Sequence, residues 1–201
     1  MLYSNATEIA PCIKLYEDVY PESNLLIDRI EKTMRTTDLD WYAATVNGPK
    51  GPKVDVKVRD VRMLNIPIFY AAPDQGDAPL AHIYYEIYNE ATPHILPVIE
   101  EYKKEYKVDA PTPTGLQILK YGPDQHFVEH VDDSPQRPRR LSYVYYFNDN
   151  YGGGEISFTN FNITLKPMSK QLIVFPSNYA YRHTVLPVTS GIRYAMVQWW
   201  A

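Results

Sequence analysis

Leu116–Asp133 reads LQILKYGPDQHFVEHVDD, and its last residues deliver a His-x-Asp pair, His130 and Asp132. Alternate side chains on a β-strand point to one face, so a histidine and a carboxylate two residues apart reach a single metal ion together. Only one histidine follows: His183, in the run YRHTVLPVTSGIRYAMVQWW (181–200). Ten residues beyond it stands Arg193, the only arginine of that last strand-like segment. A fixed cation there suits a dicarboxylate ligand.

Two histidines and one carboxylate with open positions describe the facial triad of a non-haem Fe(II) oxygenase. A lone His-x-Asp is a weak signal. The combination is specific, because the same residues recur in order inside a Tyr/Val/Ile-rich strand pattern.

The 201 residues are 45% hydrophobic and 22% charged, enough for one good core and short for two. The expectation is a single domain over 1–201, with 1–110 supplying strands and supporting helices and 111–201 the core strands. A net charge of −4 and a pI near 5.7 offer no global attraction to phosphate backbones or acidic membranes, so neither nucleic acid nor membrane is an expected partner. The single cysteine, Cys12, excludes an internal disulfide and thiolate clusters. The opening MLYSNATEIAPC has no basic region followed by an apolar run, and the expected setting is cytoplasmic. Eighteen tyrosines against six phenylalanines fit half-buried strands, for which tyrosine is a good β former.

Taken in order, residues 11–20 (PCIKLYEDVY) alternate as a strand into Pro21-Glu22, a suitable first helical turn. Leu26, Ile27, Ile30 and Met34 recur at helical spacing, predicting a helix over about 21–36 with one face on the sheet. Asn47–Lys53 (NGPKGPK) reads as a polar loop or hairpin tip, and Val54–Ile68 as strand. From Pro79 to Tyr106 two helices are expected, one through Leu80, Ile83, Ile87 and Ala91, the other through Ile95, Ile99, Tyr102 and Tyr106. Thr92-Pro93 would open the second. His82 and His94 fall there as surface or packing residues. After Asp109–Thr114 (DAPTPT) everything reads as short strands, so the fold class is α+β: a β-sandwich or barrel with helices over one face. In Leu141–Asn148 (LSYVYYFN), Ser142, Val144, Tyr146 and Asn148 share one face and Leu141, Tyr143, Tyr145 and Phe147 the other. The turn Gly152-Gly153-Gly154 follows.

Three passages carry a resemblance to the 2-oxoglutarate/Fe(II)-dependent dioxygenases of the prolyl 4-hydroxylase-like family. YYFNDNYGGGEISF resembles that family's strand-turn-strand, HTVLPVTSGIRYAMVQWW its closing stretch, and KYGPDQHFVEHVD its tyrosine, turn, aromatic and His-x-Asp succession. The resemblance implies a double-stranded β-helix (jelly roll) core with supporting N-terminal helices, holding Fe(II) by His130, Asp132 and His183. It implies 2-oxoglutarate as cosubstrate, with Arg193 and Tyr146 at its distal carboxylate and Tyr121 towards its metal-proximal end. Dioxygen is the oxidant, and ascorbate the reductant such sites accept. Phe127 stands where the family usually has tyrosine, at the loss of a hydroxyl. His126 shares strand parity with His130 but reads more simply as a turn residue. Arg139 falls where the family keeps an arginine bordering the substrate, although Arg137 and Arg140 leave the register open.

By the same resemblance the reaction is oxidative decarboxylation of 2-oxoglutarate coupled to hydroxylation of a prolyl residue in a peptide or protein partner. Halogenating relatives lack the carboxylate that Asp132 keeps. Demethylases of nucleic acids use a second downstream arginine, and none follows Arg193. Free proline or another small amino acid is the alternative substrate, and a non-catalytic jelly-roll binding protein the competing class. The resemblance implies also that Asn47–Lys53 lies in the half of the chain where relatives carry a mobile substrate loop.

Overall fold

The computed structural model describes residues 5–36, 40–48, 51–66 and 79–201. Two sheets face each other. The major one has eight strands, in the order β1 (Ala6–Ala10), β2 (Ile13–Tyr16), β14 (Leu172–Pro176), β10 (Leu141–Tyr146), β17 (Arg193–Trp200), β8 (Leu116–Tyr121), β7 (Arg62–Ile66) and β3 (Tyr42–Ala43). The minor one has five: β13 (Ile163–Leu165), β12 (Ile156–Phe158), β15 (His183–Val185), β9 (His126–His130) and β6 (Arg59–Asp60). Two short ribbons, β4 (Val46–Gly48) with β5 (Gly51–Lys53) and β11 (Gly152–Gly153) with β16 (Val188–Ser190), lie at the ends. Pairing within the sheets is antiparallel. This is the jelly roll that the resemblance implies, with helices on one face.

Alternation along the central strands builds two cores. Leu141, Tyr143, Tyr145 and Phe147 pack with Tyr194, Met196 and Trp200 against the helices, whereas Val144, Tyr146, Ala195, Val197 and Trp199 face the minor sheet. The site lies in the second layer. The face assignment read from LSYVYYFN holds.

Helix α1 (Ser23–Thr36) lays Leu26, Ile27 and Ile30 on the sheet, with Met34 packed at the margin. Glu31 accepts from both Lys120 Nζ and the Tyr194 hydroxyl at 2.8 Å, which ties the helix to the back of the major sheet.

The two expected helices between Pro79 and Tyr106 are one, α2 (Pro79–Tyr106), with Pro93 and Pro97 inside it. A proline within a helix removes a hydrogen bond and costs about 3 kcal/mol. Here Ile87, Ala91, Ile95, Val98, Ile99 and Tyr102 form one unbroken buried stripe through the proline positions, and its burial outweighs that cost. The Tyr102 hydroxyl also donates to the Cys12 carbonyl at 2.6 Å, and Lys14 pairs with Glu105. His94 stacks on Tyr20, ring centroids 4.6 Å apart, a packing role as expected. The side chain of His82 lies outside the described residues.

The strand expected over Val54–Ile68 is shorter. The Asp55 carbonyl accepts from the backbone N–H groups of Val58 and Arg59 at 2.9 Å, closing a turn, and Val54 and Val56 are exposed with no face to cover. Strand starts only at Arg59 and leaves the minor sheet for the major one at Val61; residues 67 and 68 lie outside the described set. Asn47–Lys53 is a hairpin, as one of its readings had it, residues 49 and 50 of its tip lying outside the description. Ile99 is completely buried between α2 and the sheet. Ile99→Ala is expected to lower the unfolding free energy by about 2–5 kcal/mol, measured by denaturant titration, the loss of transfer energy adding to that of the cavity left behind.

Candidate metal and cosubstrate site

His183 on β15 stands directly opposite His130 at the end of β9. Asp132 is not on the strand: β9 ends at His130, and the carboxylate is brought back by hydrogen bonds rather than by strand parity. Asp133 N–H donates to the Ser177 carbonyl at 3.0 Å, and Arg139 Nη1 to the Asp132 carbonyl at 3.2 Å. Ser142 Oγ donates to Asp132 Oδ2 at 2.7 Å and is itself 2.7 Å from Ser177 Oγ.

One donor atom from each of His130, Asp132 and His183 lies within 4.8 Å of the others. The tautomers follow from the partners. His130 Nδ1 lies 2.9 Å from the Val128 carbonyl and His183 Nδ1 3.1 Å from the Tyr181 carbonyl. A carbonyl only accepts, so each Nδ1 carries the hydrogen and each Nε2 keeps its lone pair. Those Nε2 atoms face Asp132, at 3.6 Å from Oδ1 and 3.8 Å from Oδ2. Ligand-type atoms held this way, with outer hydrogen bonds fixing their orientation, fit a divalent metal of the two-histidine, one-carboxylate kind.

Electrostatics agree with ligands ready to bind. Burial, then the neighbouring His130, depresses His183 from 6.5 to about 4, so its imidazole is neutral at ordinary pH. Burial alone would raise Asp132, but His183, His130 and the Ser142 hydrogen bond hold its carboxyl well below the usual carboxylate range. His126 is the first residue of β9, not a turn residue. Its Nδ1 turns back to the Asp124 carbonyl at 3.1 Å, and it lines neither cavity of the site.

An inner cavity of about 40 Å³ leads from the triad to Arg193, with Tyr121 on its wall. Arg193 is only 1% exposed. Its guanidinium carbon lies 4.8 Å from the ring of Tyr121, its register partner on β8, and 5.0 Å from that of Tyr146. Arg193 Nε and Nη1 and the hydroxyls of Tyr146 and Tyr151 are buried with no hydrogen-bond partner among the described residues. Buried donors are rarely left without an acceptor, and a guanidinium least of all. A ligand carboxylate supplies the acceptor, so the donor set fits the distal end of a dicarboxylate.

Tyr151 did not emerge from the sequence; its one local signal is a position just before the triple glycine. The glycines explain its placement. A Cβ at Gly154 would lie 3.0 Å from both Arg193 Cδ and Tyr151 Cε2, and one at Gly153 2.3 Å from the Pro187 carbonyl. Both have positive φ, 67° and 65°.

Above the triad opens an outer cavity of about 500 Å³. Of the three clustered arginines, Arg140 turns away to Asp109, with Nη1 2.6 Å from its carbonyl, while Arg137 and Arg139 line this cavity. Arg139 lies flat on Trp199 at 3.7 Å. Arg59, which the sequence did not single out among Lys57, Arg59 and Arg62, joins them because β6 pairs Arg59 with Phe127 of β9. Phe127 is stacked between two groups: His130 at a centroid distance of 3.6 Å, and Arg59 at 4.9 Å.

Residues 116–201 match the model of the 2OG-Fe(II) oxygenase superfamily, and the jelly roll and the donor atoms of the site agree with that match. Beyond that match, the chain is similar to prolyl 4-hydroxylases. It is 28% identical over 127 residues to a protein of Acanthamoeba polyphaga mimivirus that carries a prolyl 4-hydroxylase name, a match covering 53% of this chain and 52% of that one. The chain thus spans about half the length of that relative. Among solved structures, the viral collagen prolyl hydroxylase of Paramecium Bursaria Chlorella virus-1, in complex with 2OG, superimposes with a TM-score of 0.62 at 17% identity, covering 94% of each chain. A Trichoplax adhaerens prolyl hydroxylase in complex with a hypoxia inducible factor peptide fragment gives 0.66 at 16% identity, covering 94% of this chain and 83% of that one.

The depressed His183 sets a pH dependence. In the unfolded chain the imidazole takes a proton near 6.5, whereas in the fold it does so only near 4. Its contribution to stability is therefore complete above pH 6.5 and is lost as pH falls towards 4. In chelator-treated protein the thermal unfolding temperature is expected to fall across that window, and less steeply in His183→Gln.

Proposed function

We propose that the chain is an Fe(II)- and 2-oxoglutarate-dependent dioxygenase that hydroxylates prolyl residues in a peptide or protein. The observation that carries the reading is the pairing, along one cavity, of the His130, Asp132 and His183 donor atoms with the buried, acceptor-lacking donors around Arg193. In this reading the triad holds the metal, which when bound supplies the oxidising chemistry at the expense of 2-oxoglutarate and dioxygen.

What this chain's own residues do is hold and orient. Arg193, with Tyr146 and Tyr151, grips the distal carboxylate by charge-assisted hydrogen bonds, and Tyr121 forms the wall between the two ends of the cosubstrate. Ser142 and the Val128 and Tyr181 carbonyls keep the three donor atoms aimed. The outer cavity is wide enough for a chain segment, and His130 and Asp132 of the triad line it. Arg139, spread on Trp199, borders the substrate there. The similarity to a viral collagen prolyl hydroxylase and to a prolyl hydroxylase in complex with a hypoxia inducible factor peptide fragment supports a polypeptide over a free amino acid.

The test is succinate release that requires both Fe(II) and 2-oxoglutarate, followed by mass spectrometry of proline-rich peptides for a gain of one oxygen. His183→Ala is expected to abolish succinate formation while the circular dichroism of the sheet survives. Arg193→Ala is expected to raise the 2-oxoglutarate requirement at least tenfold, the factor carried by about 1.4 kcal/mol. An unchanged requirement would assign the carboxylate to another cation.

The Asn47–Lys53 hairpin belongs to this proposal as a cover for the substrate. Thr45 and Val46 at its base line the outer cavity, and neither lines the inner one. Deleting the tip should impair peptide hydroxylation far more than uncoupled decarboxylation of 2-oxoglutarate. Equal loss of both would remove the hairpin from the mechanism.

A further inference from the structure

The walls of the outer cavity carry three guanidinium groups, those of Arg59, Arg137 and Arg139, and a single carboxylate, Asp132, which is already committed to the triad. Among the described residues no other acidic one lines it. Three positive charges against one negative, in a chain whose net charge is −4, make a local field opposite in sign to the protein as a whole. A dication on the triad would make it more positive still.

Like charges do not gather at a cavity wall without cost. Asp132 and Asp133 attract Arg139, Asp133 also accepting from its backbone N–H at 2.9 Å, but the side-chain hydrogen bonds of these arginines go to neutral acceptors. Arg59 is 9% exposed; its Nη2 donates to Gln117 Oε1 at 3.1 Å and its Nη1 to the Thr45 carbonyl at 3.4 Å, both neutral acceptors. Arg139 Nη1 donates to the Asp132 carbonyl, again neutral. The Nε atoms of Arg59 and Arg139 are buried with no acceptor among the described residues. The side chain of Arg137, at the exposed rim, has no hydrogen bond or ion pair among them either. Three guanidinium groups on the wall of one cavity, with no carboxylate paired to any of them by a side-chain hydrogen bond, suit an anion from outside.

We propose that the outer cavity selects substrates in which a carboxylate lies within about two residues of the prolyl ring, the reach set by roughly 3.3–3.6 Å of extended chain per residue. The prolyl ring itself carries no charge for these arginines to meet. Arg139 touches the backbone of the metal-side Asp132, so the anion it binds is close to the reacting carbon. The carboxylate comes from a Glu or Asp side chain flanking the proline in a polypeptide, or from the α-carboxylate of a terminal or free proline. The chemistry is the same in either case. This inference rests on the prolyl hydroxylase reading for the ring, but not for the charge.

The experiment is calorimetric binding to the full chain, held without oxygen in the presence of Fe(II) and 2-oxoglutarate. Peptides of equal length carry Pro flanked by Glu, by Gln or by Lys. A second acid and amide pair ends in proline, and free proline completes the set. The Glu peptide, or the terminal acid, is expected to bind at least about tenfold tighter than its amide counterpart, with the preference shrinking as salt is raised. Whichever pair shows it names the source of the carboxylate. Arg137→Gln, at the exposed rim, and Arg139→Gln should each reduce the preference. Should the buried Arg139 variant fail to fold, the rim variant still decides.

Equal binding of acid and amide in both pairs, tighter binding of the Lys peptide, no binding of any peptide or of free proline, or a preference untouched by Arg137→Gln overturns the proposal. Succinate release separates this from failure of the dioxygenase reading. Acid-selective binding without succinate would keep the carboxylate site and refute the oxygenase. Succinate with equal hydroxylation of Glu and Gln peptides would do the reverse.

Discussion

Strand β17 is buried on both faces over all eight of its residues, and the rest of the molecule is arranged around that fact. A strand with no solvent side must present two different surfaces at a period of two residues. Tyr194, Met196 and Trp200 meet the helices; Arg193, Ala195, Val197 and Trp199 meet the minor sheet. A one-residue slip would exchange these faces and put a guanidinium into the helix core. Pairing on both sides, to β10 and β8, prevents that slip. The register of β17 therefore fixes which end of the inner layer carries the cation and, through Tyr121 opposite it, the wall between cation and metal ligands.

A buried guanidinium without a carboxylate partner is expensive, because burial removes its hydration and leaves nothing equal in return. Around Arg193 the chain supplies faces and edges of tyrosine instead of an acid. Ring faces are attractive to a cation but do not satisfy its N–H groups. This half-satisfied state is what a binding site for an anion requires. An internal acid would neutralise the arginine and close the site, whereas phenols leave the N–H groups available and add donors of their own.

Much of this was legible beforehand, and the reasons are specific. His130, Asp132, His183 and Arg193 were readable because only one histidine and no further arginine compete with them downstream. The faces of LSYVYYFN were readable because a strand alternates at a period of two, which puts Ser142 and Asn148 on one face and only Leu141, Tyr143, Tyr145 and Phe147 on the other. Other features depend on contacts distant in sequence. Asp132 lies beyond the end of its strand, so its placement belongs to Ser142 and to the backbone at Ser177 rather than to parity. Arg59 is one of several basic residues in a row, and only its pairing with Phe127, 68 residues away (127 − 59), brings it to the cavity. The prolines of α2 signalled a break that a continuous buried stripe overrides, a case of tertiary packing winning over local propensity.

Phe127 is one of five residues that line both cavities, with Arg59, His130, Asp132 and Trp199, and its ring is in contact with both His130 and Arg59. Its ring is apolar where the resembled family usually carries a phenol, so it contributes contact area and no hydrogen bond. On the inner side, the donors around Arg193 and the three ligand atoms leave every polar requirement to be met by a dicarboxylate and a metal. On the outer side, Arg59, Arg137 and Arg139 leave theirs to be met by the substrate. A phenol between these two sets would add a donor able to serve either one. Phenylalanine adds none, so Arg59 is, among the described residues, the one cation that borders both cavities, with Arg193 proper to the inner one and Arg137 and Arg139 to the outer.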